Sequence, residues 1–114
     1  MKVTIYHNPN CSNSRKALEI IRAKGIEPKI VDYLGNPLTP QQLRHLIKDE
    51  LHVPVRDVMR PNEPAYAQMK LDGADEDTLL AAMAVHPSLL NRPIVVTAKG
   101  ARLCRPGEIV GELL

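Results

Sequence analysis

Apolar and polar residues alternate through Lys2-Val3-Thr4-Ile5-Tyr6, with Val3 and Ile5 on one side, and this period of two predicts a strand. The period changes after Cys11. In SRKALEIIRAK, residues 14–24, Ala17, Leu18, Ile20 and Ile21 recur at helical spacing, and Gly25 follows as a stop. PKIVDY, residues 28–33, predicts a second strand after a short turn at Glu27-Pro28. A strand, a helix and a strand in that order predict parallel pairing and a right-handed crossover.

The middle of the chain reads as helical. In TPQQLRHLI, Thr39 is placed as an N-cap, Pro40 as the first helical residue and Gln42 as the partner in a capping box. Leu43, Leu46 and Ile47 form its apolar stripe. VPVRDVMR predicts a short helix starting near Pro54. DEDTLLAAMAVHP predicts another, with Leu79, Leu80 and Met83 inward and Pro87 at its end. Between these two, Pro61–Asp77 holds the densest turn-formers and is expected to be a mobile loop.

After the helices, Ile94–Thr97 and Ala101–Cys104 read as a hairpin turning at Lys99-Gly100. PGEIVGELL closes the chain as a short amphipathic helix. The sum is β-α-β, then helices, then β-β-α, with no repeat, low-complexity segment or linker. That order predicts an α/β fold of the thioredoxin-like class with a mixed sheet. It forms one domain over residues 1–114, carrying a helical insertion over about 39–90. In such folds a cysteine opens the first helix and a proline precedes the third strand. Cys11 and Pro93 occupy those places, so the Arg92-Pro93 peptide is expected to be cis.

Composition narrows the function. The 114 residues suit one domain, and 44% apolar with 25% charged is ordinary for a globular protein. The core must be aliphatic, because Trp and Phe are absent. A net charge of +2 gives no footprint for nucleic acid or an anionic membrane. No apolar run is long enough to span a bilayer, and His7, Asn8 and Asn10 interrupt any signal-peptide core. A cytoplasmic location is expected. There Cys11 and Cys104 stay reduced. A metal site built on His7, Cys11 and Cys104 lacks a fourth ligand, and no cysteine or histidine pair has zinc spacing.

Cys11 is the candidate nucleophile. The thiolate is the reactive form, and a free thiol titrates at about 8.5. Three features are expected to lower that value: the helix N-terminus, Arg15 one turn along, and His7 on the preceding loop as a hydrogen-bond donor or a charge. Ser14 stands where a dithiol oxidoreductase would carry a second cysteine, so Cys11 works without an adjacent thiol. A disulfide formed on it would be cleared by an outside thiol or by Cys104. Arg60, Arg92 and Arg105 all lie at ends of predicted elements, and guanidinium forks suit a tetrahedral oxyanion. The plainer readings are that Cys11 is a small buried hydrophobe, that His7 bonds a backbone group, that Ser14 is a cap, and that each arginine is a surface residue. A phosphatase-type cradle is absent, since Ala17 stands six positions after Cys11 where an arginine would be needed.

YHNPNCSNSR, HPSLLNRPIVV and RLCRP, in this order, resemble the ArsC family of glutaredoxin-coupled arsenate reductases over essentially the whole chain. The resemblance implies that Cys11 attacks arsenate to form a thiol-arsenate adduct. It further implies that Arg60, Arg92 and Arg105 bind the oxyanion, and that His7, Ser14 and Arg15 support the thiolate. Glutathione is implied as co-substrate, with no bound cofactor, and glutaredoxin as the partner that restores the thiol. The best-known members read glycine-threonine at Ser12-Asn13 and continue beyond Leu114, so this chain is similar to a shorter branch. Cys104 is expected to be structural. Two alternatives share the fold: a glutathione-dependent thiol-disulfide oxidoreductase, and a non-enzymatic regulator similar to the Spx proteins. Ser14 counts against a dithiol switch of the latter kind, and the arginine set favours an oxyanion over a disulfide.

Overall fold

Strand β1 (Thr4–Tyr6) runs parallel to β2 (Lys29–Val31), with Ile5 opposite Ile30. The crossover between them is helix α1 (Ser12–Ala23). This computed structural model describes residues 1–114. Antiparallel β3 (Ile94–Thr97) lies on the other side of β1, with Val95 opposite Ile5, and β4 (Gly100–Leu103) completes the sheet. The order is β2-β1-β3-β4, a mixed sheet. The parallel pair, the hairpin and the two halves thus follow the sequence expectation.

Helix α1 ends as its sequence dictates. Gly25 takes φ +76, where a side chain would be strained. The Gly25 amide donates to Arg22 O at 2.9 Å and the Ile26 amide to Ile21 O at 3.4 Å, which is the Schellman pattern. Ile26 also packs against the core that contains Ile21. That core joins Val3, Ile5 and Val95 from the sheet, Ala17 and Ile21 from α1, and Cys104, Val110 and Leu113 from the last part of the chain. This cluster is aliphatic or sulfur-bearing, but Tyr33, 1% exposed, is also buried, so the core as a whole is not purely aliphatic as expected.

The chain falls into two compact units: Met1–Tyr33 with Arg92–Leu114, and Leu34–Asn91. The first is the sheet unit just described. The second is helical. Helix α2 (Pro40–Arg44) carries the expected capping box: Thr39 Oγ1 accepts from the Gln42 amide at 3.1 Å, and the Thr39 amide donates to Gln42 Oε1 at 2.9 Å. It runs into a π-helical stretch, His45–Glu50, which buries Leu46 and Ile47. A 3-10 turn follows at Val55–Val58. Helix α4 (Glu76–Val85) is capped by Asp75 and buries Leu79, Leu80, Ala82 and Met83. Its N-terminal turn holds Glu76 and Asp77, which suit the positive end of a helix.

Two expectations are corrected. Pro61–Asp77 is not all loop: Pro64–Gln68 forms helix α3, with Pro64 in the first turn, where its missing N–H costs nothing. Arg56 ties the segment down by donating to Tyr66 Oη at 2.7 Å, Leu71 O at 2.9 Å and Ala74 O at 2.8 Å. The hairpin turns one residue early, at Ala98-Lys99, and Gly100 at φ +136 already pairs with Thr97. The last segment, Gly107–Leu113, is the expected short helix, of the 3-10 type. Two glycines in seven residues leave little α-propensity there.

Candidate active site

The loop before α1 is closed by its own polar groups. Asn8 Oδ1 accepts from the Asn10 amide at 2.9 Å, and Asn8 O accepts from the Cys11 amide at 3.0 Å. Arg15 Nη1 donates to Pro9 O at 2.9 Å. These bonds set Cys11 at the N-cap of α1, with extended dihedrals of φ −100 and ψ 124. Only 6% of the residue is exposed.

Arg105 approaches that sulfur from the far end of the sequence. Its Nη1 donates to Cys11 Sγ at 3.6 Å and to Arg92 O at 3.0 Å. The Arg92-Pro93 peptide is cis, as expected, and so is Arg105-Pro106. Pro93 is buried, and its carbonyl accepts from the Cys104 amide at 2.9 Å. The two arginines therefore reach one locus from neighbouring strand ends.

The forces on the thiol oppose one another. Burial is the largest and pushes its pKa up. The Ser14 and Asn13 amides, the charge of Arg92 and the Arg105 hydrogen bond all favour the anion, and together they hold the thiol below its ordinary range. No capping bond of ordinary geometry closes on the sulfur, yet both amides face it closely enough to stabilise a thiolate. The result is an anion-favouring helix terminus holding a thiol, with guanidinium groups acting on it.

The side chains of His7, Ser14 and Arg15 take their partners from one another and from the loop before α1. Ser14 is fully buried; its Oγ accepts from the Asn8 amide at 3.0 Å and pairs with His7 Nδ1 at 2.6 Å. His7 is thus placed on Ser14, and not as a charge on Cys11. Burial lowers its pKa from 6.5, and Arg22 and Arg15 lower it further, so the ring is neutral at pH 7. Arg15 acts on the loop carbonyl of Pro9, and its charge is not among those that move the thiol. Arg60 belongs to the helical unit. There its amide donates to Leu89 O at 2.8 Å and its guanidinium pairs with Glu63.

Cys104 is closed to chemistry. It is fully buried among Val3, Ile5, Ala17 and Val110, and burial pushes its pKa to about 11. With no exposed surface it is out of reach of a bound partner, and burial also disfavours its thiolate. Its structural role follows the sequence expectation.

Sequence reasoning missed Asn8, Asn13 and Gly107. Asn13 supplies an amide to the sulfur and accepts the Gly107 amide on Oδ1 at 3.2 Å. A Cβ on Gly107 would lie 2.6 Å from Asn13 O and 2.9 Å from Lys16 Cβ. The only signal in the sequence was Gly107 itself, directly after the Arg105-Pro106 pair.

Known proteins resemble this chain along nearly its whole length. The model of the ArsC family matches residues 6–113. The arsenate reductase of Escherichia coli K12 is 48% identical over 114 residues, covering 98% of this chain and 80% of that protein. The uncharacterized protein YfgD of the same organism is 40% identical, covering 99% of this chain and 97% of its own. The structure of an arsenate reductase from Vibrio cholerae superposes with a TM-score of 0.93 at 41% identity, covering 100% of this chain and 98% of that one. With matches of this extent through both the sheet and the helices, the chain belongs to the ArsC family and has its thioredoxin-like fold.

Proposed function

We propose that this protein is an arsenate reductase, converting As(V) to As(III) in the cytoplasm. The observation that carries the reading is Cys11 Sγ at a helix N-terminus, hydrogen-bonded by Arg105 and under the charge of Arg92. Arsenate brings a tetrahedral anion to that terminus. Arg92 and Arg105 hold its oxygens, and the resemblance to the ArsC family assigns Arg60 the same task. Cys11 Sγ attacks arsenic, one oxygen leaves as water, and a thiol-arsenate adduct forms with arsenic still As(V).

Reduction then needs two electrons. Two thiols supply them by joining as a disulfide, so arsenate and two thiols give arsenite, one disulfide and one water. Cys11 has no second thiol of its own: Ser14 stands at the neighbouring position, and Cys104 is sealed in the core. Glutathione therefore enters as co-substrate and attacks the adduct. Glutaredoxin then restores the Cys11 thiol. Ser14 fixes the loop for the thiolate, and His7 acts through Ser14.

The test is arsenite formation from arsenate with glutathione, glutaredoxin and NADPH recycling. The wild type produces arsenite and Cys11→Ser does not. Absence of arsenite from the wild type, or equal turnover in Cys11→Ser, removes this reading. Turnover of a glutathione mixed disulfide without arsenite would replace it with thiol-disulfide exchange.

A further inference from the structure

Arg105 is an exposed residue, and a long side chain in solvent loses much rotamer freedom when it is fixed on one target. Something must aim it at the sulfur. One aid is the Arg92 carbonyl, which takes the same Nη1 at 3.0 Å. The other lies in the backbone. Only Pro106 separates Arg105 from Gly107, and its ring fixes φ. Gly107 is buried against α1, so closely that a Cβ would meet Asn13 O at 2.6 Å and Ala17 N at 3.1 Å. Its amide ends on Asn13 Oδ1 at 3.2 Å.

We propose that Asn13 is a positioning residue: its side chain pins the Arg105-Pro106-Gly107 turn to the first turn of α1, and so sets the Arg105 guanidinium on Cys11 Sγ. The contact joins positions 13 and 107, and the same two segments carry the nucleophile and its donor. The side-chain oxygen of Asn13 touches neither sulfur nor substrate; it acts through Arg105. A stabilising contact and nothing more would leave the thiol's titration unchanged in the folded protein. A positioning contact moves it. The inference holds whatever oxyanion the site takes, so its failure is separable from that of the reductase reading.

The experiment is the pH dependence of Cys11 alkylation by iodoacetamide, with folding followed by circular dichroism. Arg105→Ala removes a charge-assisted bond to the thiolate and is expected to raise the midpoint by about one pH unit. Asn13→Ala is expected to raise it by roughly half as much. In the Arg105→Ala background, Asn13→Ala is expected to add nothing, because there is no guanidinium left to aim. Asn13→Ser is a milder change, too short to reach Gly107 and acceptable in a first helical turn, and it shifts the midpoint in the same direction. An unchanged midpoint in a folded Asn13 variant overturns the inference. So does an Asn13→Ala shift of equal size with and without Arg105.

Discussion

Ser14→Ala deletes one oxygen that serves two groups. Ser14 Oγ is buried, accepts the Asn8 amide at 3.0 Å and pairs with His7 Nδ1 at 2.6 Å. Without it, both partners face a methyl group. Leaving one buried polar group unsatisfied costs about 1–3 kcal/mol. Asn8 and His7 are half-buried, so water reaches part of that deficit and the lower half of the range applies. Alanine is the better helix former by up to about 0.5 kcal/mol, which offsets part of the loss. Over the two groups the net expectation is a destabilisation of about 1.5–3.5 kcal/mol, or a fall in Tm of roughly 6–14 °C for a chain of this length. Urea unfolding at pH 7 measures it. The loop that presents Cys11 is pinned by this oxygen, so alkylation of Cys11 should also lose its single sharp midpoint or move toward the free-thiol value. A change below about 0.5 kcal/mol, within the range of an ordinary surface substitution, would refute the view that Ser14 holds the loop. A His7→Ala, Ser14→Ala cycle completes the test. Effects that add independently would show that the short Nδ1–Oγ contact carries no coupling.

Other consequences follow from the same geometry. Cys11 is expected to alkylate with a midpoint below about 8.5, while Cys104 stays unreactive in the folded protein until well above pH 9; a Cys11 midpoint at the free-thiol value would remove its activation. Because the folded pKa of Cys11 is lowered, its ionisation stabilises the fold fully above the unfolded thiol value, and that contribution is lost as pH falls through the folded value. The stability gap between wild type and Cys11→Ser should therefore widen as pH rises across that window. Gly107→Ala forces a Cβ to 2.6 Å from a backbone oxygen, and a loss of about 2–3 kcal/mol is expected in urea unfolding; a variant as stable as wild type would show that α1 and Gly107–Leu113 separate freely. Arg60→Ala should keep the fold and lose at least about tenfold in arsenate turnover, as befits a lost charged hydrogen bond to a transition state, and equal turnover would reduce Arg60 to its pairing with Glu63.

Much of the fold was legible in the sequence because its signals are local. The period of Val3 and Ile5, the Gly25 stop and the Thr39-Pro40-Gln42 start each involve residues within a turn of one another, and each formed as expected. The order of those elements then fixed which strands pair. Where local signals were weak or mixed, the structure departed. Pro64 served a helix instead of a loop.

The candidate nucleophile was also legible in the sequence: a cysteine opening a helix, with Ser14 denying it a neighbouring thiol. Its surroundings were decided only in three dimensions. His7 and Arg15 lie close to Cys11 in the chain, yet one bonds Ser14 and the other the Pro9 carbonyl. The Arg105 guanidinium and the Gly107 amide come from more than ninety positions away and meet Cys11 and Asn13 directly. Sequence proximity limits where a side chain can reach, but burial and hydrogen-bond competition decide which partner it takes. For Cys104 the same tertiary burial closed a thiol that the sequence left open as a reductant.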